Sequence, residues 1–340
     1  GLSIDSNTGV ISGTLAANAS VGSPYSVTIT ATDPTGAVTS QTFVWTVTNP
    51  GPTATDDTNT TSENVNTSGD VLANDSDPDG DVLSVLSVNG LAGNVGAGVT
   101  GTNGGTFTLQ SDGSYTFVPG TAFDDLAVGE SRQTSVTYVV TDSQGGTSAA
   151  TVTITVTGTN DGPTSTSIAD QTDVDNTGVT LDVSGSFSDV DTSDVLSFSA
   201  GGTLPPGLSI DSNTGVISGT LAANASVGSP YSVTITATDP TGAVTSQTFV
   251  WTVTNPGPTA TDDTNTTSEN VNTSGDVLTN DSDPDGDALS VLSVNGVPGN
   301  VGTGVTGSNG GTFTLQSDGS YTFVPGTAFD DLAVGESRQT

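Results

Sequence analysis

The sequence of 340 residues carries 37 Asp and Glu against 2 Lys and Arg, no His, and a formal charge of -35. Nucleic acid and anionic membrane are excluded as ordinary partners, since binding either requires Lys and Arg to neutralise phosphate. Cys and Met are absent, and no run of 18 apolar residues occurs, so disulfides, thiol chemistry and membrane insertion of this segment are excluded as well.

Read in chain order, the sequence consists of short strands and turns. Leu2–Ser12 forms a hairpin pattern whose turn is Asn7–Gly9. Tyr25–Ala31 alternates, placing Tyr25, Val27, Ile29 and Ala31 on one face, and Phe43, Trp45 and Val47 alternate in the next strand. Thr106–Leu109 and Ser114–Val118 flank the turn Ser111-Asp112-Gly113. Val136, Tyr138 and Val140, then Val152, Ile154 and Val156, predict a final strand pair before a linker. No segment has 3.6-residue periodicity, so the expected fold is all-β, a series of Ig-like or cadherin-like β-sandwiches. The strand alternation also argues against the disorder that such polarity would otherwise suggest.

Gly-Pro pairs mark the linkers: Thr-Asn-Pro-Gly-Pro at 48–52 and 254–258, and Thr-Asn-Asp-Gly-Pro at 159–163. They predict four units: 1–50, the back half of a first domain type; 51–160, a whole second type; 161–256, a whole first type; and 257–340, a second type without its last strands. Residues 1–134 recur as 207–340 with six substitutions: Ala73/Thr279, Val82/Ala288, Leu91/Val297, Ala92/Pro298, Ala97/Thr303 and Thr102/Ser308. A repeat of 206 residues is too long for one supersecondary unit, so the copied object is a pair of unlike domains. Placing a different domain between identical copies reduces strand exchange during folding. With no initiator Met and no leader, the chain is expected to be an internal slice of a longer array.

All but four of the acids are Asp. They cluster in Asn74-Asp75-Ser76-Asp77-Pro78-Asp79-Gly80-Asp81, repeated as Asn280, Asp281, Asp283, Asp285 and Asp287 in the 280–287 copy. Side-chain oxygens at that density call for a counter-cation, and the hard, irregular, oxygen-rich shell of calcium suits the loop better than magnesium. Zinc would want His or Cys. The opening D-x-D-x-D-G resembles an EF-hand loop from Asp75, but position twelve is Leu86 and no helices flank it. The first domain type has a matching cluster, Asp189, Asp191 and Asp194, and both clusters precede Val-Leu-Ser. Single acids close late strands at Asp142, Asp239 and its copy Asp33; each either caps a turn or joins the neighbouring cluster. Asn160 and Asp161 sit in a linker where they could lock two domains together, whereas Pro50 and Pro256 occupy the equivalent place in the other linkers. Asp56, Asp57 and Glu63, with copies Asp262, Asp263 and Glu269, are weaker candidates. The plain alternative for all these acids is a solubilising surface.

Leu204–Thr220 followed by Tyr231–Asp239 resembles the dystroglycan-type cadherin-like domain. Leu72–Asp81, then Gly-Ser-Tyr-Thr-Phe-Val-Pro and Tyr-Val-Val-Thr-Asp, resembles the VCBS and cadherin-like repeats of giant bacterial adhesins. Together the resemblances span essentially the whole chain. They imply calcium-stiffened extender repeats of a large, type I-secreted, RTX-like adhesin at the bacterial cell surface, serving cell adhesion or biofilm formation. They also imply Asp75–Asp81, Asp142, Asp189–Asp194 and Asp239 as calcium ligands. The Asn-Pro-Gly-Pro linkers depart from classical cadherins.

The expected partners are neighbouring repeats of the same chain, with a host surface, glycan or like adhesin engaged through other regions. A different reading makes the repeats themselves binders of a glycan, a host protein or a second copy, with Trp45 and Trp251 as a stacking platform; alternating strand Trp is more often core. The Thr ladder Val152–Thr157 is good strand chemistry without a solenoid period. A glycosidase using paired carboxylates is the enzyme reading. It is disfavoured, since the acids cluster with one another in cation-like spacing. The absence of Cys fits the cytosol and also a chain exported unfolded, and a cation demand in the millimolar range favours the outside of the cell.

Overall fold

A computed structural model describes residues 1–340. The chain is all-β, with only single-turn 3-10 segments between strands. It divides into two compact units, residues 1–162 together with 189–195, and residues 163–188 together with 196–340.

In the first unit, residues 57–157 form a sandwich of two four-stranded sheets. One runs in the order Thr67–Asp70, Ser114–Val118, Thr106–Leu109, Gly98–Thr100; the other Asp57–Ser62, Thr147–Thr157, Ser131–Thr141, Ser84–Val88. The turn at Ser111–Gly113 forms as its residues predict: Asp112 Oδ1 accepts Ser114 N at 3.0 Å, and Gly113 takes φ +90°. In the long hairpin Val136 faces Val152, and the alternation puts Val136, Tyr138, Val140, Val152, Ile154 and Val156 in the core. Phe107, Phe117 and Phe123 stack through them, with neighbouring centroids 4.7 and 6.3 Å apart. The Asp57–Ser62 strand pairs in parallel with Thr147–Thr157, so the first strand ends beside the last and just before the linker. The hydroxyl of the fully buried Tyr138 lies 2.7 Å from Asp57 Oδ2 and 3.1 Å from the carbonyls of Thr55 and Val71. One core side chain therefore pins the strand after one linker to the segment that opens the Asn74–Asp81 loop. Residues 1–50 contribute two hairpins, Leu2–Ile4 with Ile11–Gly13 and Tyr25–Thr32 with Val38–Trp45.

In the second unit, one sheet runs Gln171–Val174, Val244–Thr254, Tyr231–Thr238, Ser197–Gly202, and faces a sheet of Gly178–Asp182, Val216–Thr220 and Leu208–Ile210. Trp251 is fully buried between them and donates its indole N–H to Asp173 Oδ2 at 2.8 Å. It is a core residue, not a stacking platform. Residues 257–340 keep one four-stranded sheet, with strands Thr273–Asp276, Ser320–Val324, Thr312–Leu315 and Gly304–Thr306. Residues 263–268 repeat the sequence of 57–62 but form no strand, because this stretch contains no counterpart of the long hairpin against which 57–62 pairs.

The duplication supplies an internal control. Tyr25 is 40% exposed and its copy Tyr231 7%; Trp45 is only partly buried and its copy Trp251 is fully buried. Trp251→Ala should therefore cost about 3–5 kcal/mol of unfolding free energy, the usual range for a large aromatic deleted from a core. Trp45→Ala should cost a small fraction of that. Urea unfolding read by hydrogen exchange at strands 231–238 and 25–32 separates the two; equal losses would contradict the assignment of Trp251 to the core.

Candidate metal centres

The first centre is the Asn74–Asp81 loop. Asp77 Oδ1 accepts the amides of Asp79 at 3.0 Å and Asp81 at 3.4 Å, and Gly80 takes φ +81°, so the chain wraps around its own carboxylates. Oxygens of Asp77, Asp79 and Asp81 come within 4.8 Å of one another, as do those of Asp283, Asp285 and Asp287. Asp77 Oδ2, Asp79 Oδ1, Asp81 Oδ2 and both oxygens of Asp285 are buried with no hydrogen-bond partner. Asp79 and Asp285 are each pushed up to about 6, first by the close carboxylate of Asp77 or Asp283, with which a bound proton would be shared, then by burial and the neighbouring charges. Asp77 and Asp283, which would accept that proton, are lowered for the same reason.

The structure divides the acid-rich run in two. Asn74 and Asp75 latch the loop onto the segment between the linker and the Asp57–Ser62 strand. Asp75 Oδ1 accepts Thr55 N at 2.7 Å, Asn74 Nδ2 donates to Asp56 O at 3.2 Å, and Thr53 pairs with Ser76. Asn280 and Asp281 make the same bonds, to Asp262 and Thr261. Burial and the nearby Asp70 raise the Asp75 carboxyl, and burial raises that of Asp57 despite its bond from Tyr138.

Asp142 is completely buried and engaged by the protein: Oδ1 accepts Gln144 N at 2.8 Å and Gly146 N at 2.9 Å, and Oδ2 accepts Asn49 Nδ2 at 2.7 Å. It thus caps its turn and holds the Asn-Pro-Gly-Pro linker. Gly51 passes directly over Gly146, where an added Cβ would lie 2.8 Å from Gly51 Cα and 2.1 Å from Asp142 Oδ2. Asp239 caps the corresponding turn, accepting the amides of Thr241, Gly242 and Ala243 at 2.7–2.9 Å, and the exposed Asp33 does the same for Thr35 and Ala37. These bonds, the hydroxyl of Thr35 foremost, lower the Asp33 carboxyl.

The second centre gathers residues far apart in sequence. Glu63 follows the Asp57–Ser62 strand, is 1% exposed, and accepts the Thr159 amide and hydroxyl at Oε1, both at 2.6 Å. The linker thus folds over it, and Oε2 is left buried without a partner. Asp191, also 1% exposed, accepts the Asp161 amide at Oδ2 at 3.0 Å and leaves Oδ1 unpartnered; its own amide donates to Asp189 Oδ1 at 3.1 Å, and Asp189 Oδ2 is unpartnered too. Asp194 lies within 4.8 Å of Asp189. Asn160 precedes Asp161 in the linker. The Asp161 carboxyl is raised first by burial and then by the charges of Glu63, Asp191, Asp124 and Asp189. The copy Glu269 has no linker over it and is only partly buried.

Sequence reasoning did not nominate Asp124, whose signal is an Asp pair set between the buried Phe123 and Leu126. It also passed over Asp175. That residue holds the station of Glu63 in the other domain type: each follows a first strand paired in parallel with the last, and donates its amide to that last strand, Glu63 to Thr157 and Asp175 to Thr254, both at 3.0 Å. Asp175 is 2% exposed, accepts Ser226 N at Oδ1 and leaves Oδ2 unpartnered.

A bacterial cadherin-like domain model matches residues 49–158 and 255–339, more than half of the chain. The chain belongs to the bacterial cadherin-like domain family. A model described as "Putative Ig domain" matches residues 1–48 and 162–254. Similar solved structures include protocadherin gamma B7 extracellular cadherin domains 1–4 (14% identity, TM-score 0.41, 95% of this chain and 80% of that one). Mouse cadherin-23 EC22–24 is similar at 14% identity and TM-score 0.42, over 68% of this chain and 74% of that one. An endo-fucoidan hydrolase of glycoside hydrolase family 107 aligns at 21% identity and TM-score 0.24, over 70% of this chain and 35% of that one. No curated protein matches the chain. Cadherin-like domains generally bind calcium. The donor sets fit that ion: every side-chain donor is oxygen, the unpartnered oxygens converge, and no base lies among them to neutralise the charge.

The shared carboxylates give a pH dependence whose sign follows from the shifts. In the folded chain each Asp77–Asp79 or Asp283–Asp285 pair takes up its first proton near pH 6, against the ordinary 3.8 of the unfolded chain. The folded state therefore binds more protons than the unfolded state between those values, and its stability without divalent cation rises as the pH falls from 7.5 to about 5. Below about 3.8 the trend reverses, because the lowered partner resists its proton in the folded state. With calcium present the upper limb should invert, since the ligands must be deprotonated to bind. Thermal melts in EDTA and in calcium at pH 7.5 and 5 test this; a chain in EDTA that is more stable at pH 7.5 would contradict it.

Proposed function

We propose that this chain is a calcium-stiffened extender segment of a large secreted bacterial surface adhesin, projecting a distal binding region from the cell for adhesion or biofilm formation. The observation that carries the reading is the set of buried carboxylate oxygens without partners on Glu63, Asp189 and Asp191, with the Asp161 carboxyl raised beside them. A buried charge left uncompensated costs several kcal/mol, and no Lys or Arg lies among these acids. Family membership and the copied pair of unlike domains support the same reading, because repetition adds length without adding chemistry.

On this reading one ion is held at Asp77, Asp79 and Asp81 and another at their copies Asp283, Asp285 and Asp287. A further group of ions is held at Glu63, Asp161, Asp189 and Asp191, with Asn160, Asp194 and Asp124 in reach of the same loops. Asp142 acts mainly through the backbone it fixes, as outer support that presents the ligands, and Asp75 and Asp281 tie the loop to the linker segment through one carboxylate oxygen. Calcium supplies two effects: it cancels local charge repulsion, and it ties the linker to the loops so that successive domains cannot swing. At free calcium about 100 times the dissociation constant, each site adds about 2.7 kcal/mol. Two such sites rival the whole stability of a small domain, so folding would wait until the chain leaves a calcium-poor interior.

Calcium should raise the melting temperature of the full chain by many degrees over EDTA and lengthen it in small-angle scattering, with magnesium far less effective. Asp191→Ala should weaken the tightest calcium class by at least the ~10–100-fold typical of lost outer-shell partners. Identical melts and scattering profiles in calcium and EDTA would overturn the proposal.

A further inference from the structure

Each domain of the second type contains a single basic residue, Arg132 in one and Arg338 in the other. In a chain with so few cations, where each is placed calls for a reason. Arg132 stands on the Ser131–Thr141 strand and forms a two-pronged bond to the carboxylate of Asp125, Nη1 to Oδ1 at 3.0 Å and Nη2 to Oδ2 at 2.7 Å. Nη1 also donates to the Ala122 carbonyl at 3.1 Å, and the guanidinium carbon lies 5.9 Å from the Phe123 ring centroid. Phe123 and Leu126 are buried on either side of the Asp pair. The turn 122–126 is thus fixed at both ends by core side chains and in the middle by a planar fork, a geometry that Lys cannot reproduce.

This rigid turn is met by a loop distant in sequence. The backbone carbonyl of Asp125 accepts both the amide and the hydroxyl of Thr192, each at 3.4 Å. Thr192 immediately follows Asp191, and residues 189–195 cluster with the first unit rather than with the rest of their own domain. The bonds involve no cation and no ligand oxygen.

We propose that Arg132 is a positioning residue whose clamped turn is a metal-independent seat for the loop Asp189–Val195, holding Asp189 and Asp191 beside Glu63 and Asp161 before any ion binds. The seat supplies the register of the loop, and the ion then locks it. The seating stands apart from the calcium reading; its effect on cation affinity rests on that reading. Preorganisation of this kind lowers the ordering cost of binding and shows as affinity.

The duplication supplies the control. Arg338 makes the corresponding bonds, Nη2 to Asp331 Oδ2 at 2.7 Å and Nη1 to the Ala328 carbonyl at 3.3 Å, but no residue of the 340 donates to the Asp331 carbonyl as Thr192 does to that of Asp125. Arg132→Gln and Arg338→Gln therefore remove the same local bonds, and only the first removes a seat. Hydrogen exchange on the full chain in EDTA should show the Thr192 amide protected in the wild type. It should lose about 10-fold or more of that protection in R132Q and none in R338Q. Calcium titration should show one class of sites weakened about 10-fold in R132Q and R132K, and all classes unchanged in R338Q. If Thr192 is unprotected in the wild type, or equally protected in both Gln variants, the seat is overturned whatever calcium does. If calcium fails to bind the wild type while Thr192 behaves as expected, the calcium reading fails and the seat stands. Should R132Q not fold, R132K, which keeps the charge and loses the fork, carries the same comparison.

Discussion

The organising constraint is negative charge that the chain cannot neutralise by itself. With two Arg residues, both spent on the turns that carry Asp125 and Asp331, every other carboxylate must face water, accept backbone amides, or share an external cation. The fold distributes its acids among these three fates. Turn-capping residues are lowered by the local donors they accept, foremost the hydroxyls of Thr35 and Ser114 for Asp33 and Asp112, and the amide of Asn213 for Asp211. Asp142 and Asp175 are buried against specific donors. The loop trios and the group of Glu63, Asp189 and Asp191 retain buried oxygens that nothing in the chain satisfies. Sheet interiors carry none of this burden. The sandwich cores are aliphatic and aromatic, and the hydroxyl-rich outer faces pair internally, as Thr234 with Thr248 and Thr236 with Ser246.

Much of this was legible in sequence because the signals are local. Alternation at Val136–Val140 and Val152–Val156 specified strand and face together, since both depend on a period of two. Asp-x-Gly turns and the D-x-D loops are likewise written in neighbouring residues. What escaped was set by contacts across long separations. Nothing in Asn74–Asp81 says that Asp75 serves the linker strand while Asp77, Asp79 and Asp81 face one another; the division follows from the Thr53–Ser76 pairing, which rotates the loop's first half toward residues 53–56. Asp124 and Asp175 lie in an isolated Asp pair and a single D-x-D rather than in a longer acidic run, and become notable only when the parallel first strand and the Arg132 turn set them beside distant residues.

The copied sequence shows the same point without any mutation. Residues 57–63 and 263–269 are identical, yet only the former are a strand ending in a buried Glu, because strand pairing and the Thr159 cradle come from residues nearly a hundred positions away. Local propensity permits either state here, and tertiary pairing decides between them.

The two linker types can be compared in the same terms. In Thr-Asn-Asp-Gly-Pro the residue after Asn is Asp161, which offers both an amide that Asp191 accepts and a carboxylate directed among the other acids. In Thr-Asn-Pro-Gly-Pro that residue is Pro256, which has neither a carboxylate nor an N–H. Its opposite number to Asp191 is Asp285, the second acid of the matching D-x-D, and Asp285 is 6% exposed with both oxygens unpartnered. Replacing Asp by Pro thus removes one negative charge from the linker and, with the same change, removes the donor that would have occupied the facing carboxylate. On the calcium reading, ions at the proline linkers are held by the following domain's loop, with the linker's stiffness coming from proline itself and from Asn49 clamped by Asp142. At the Asp161 linker the ion draws its ligands from the linker as well as from the loop, so calcium removal would free more of this linker's own groups than of the proline linkers'.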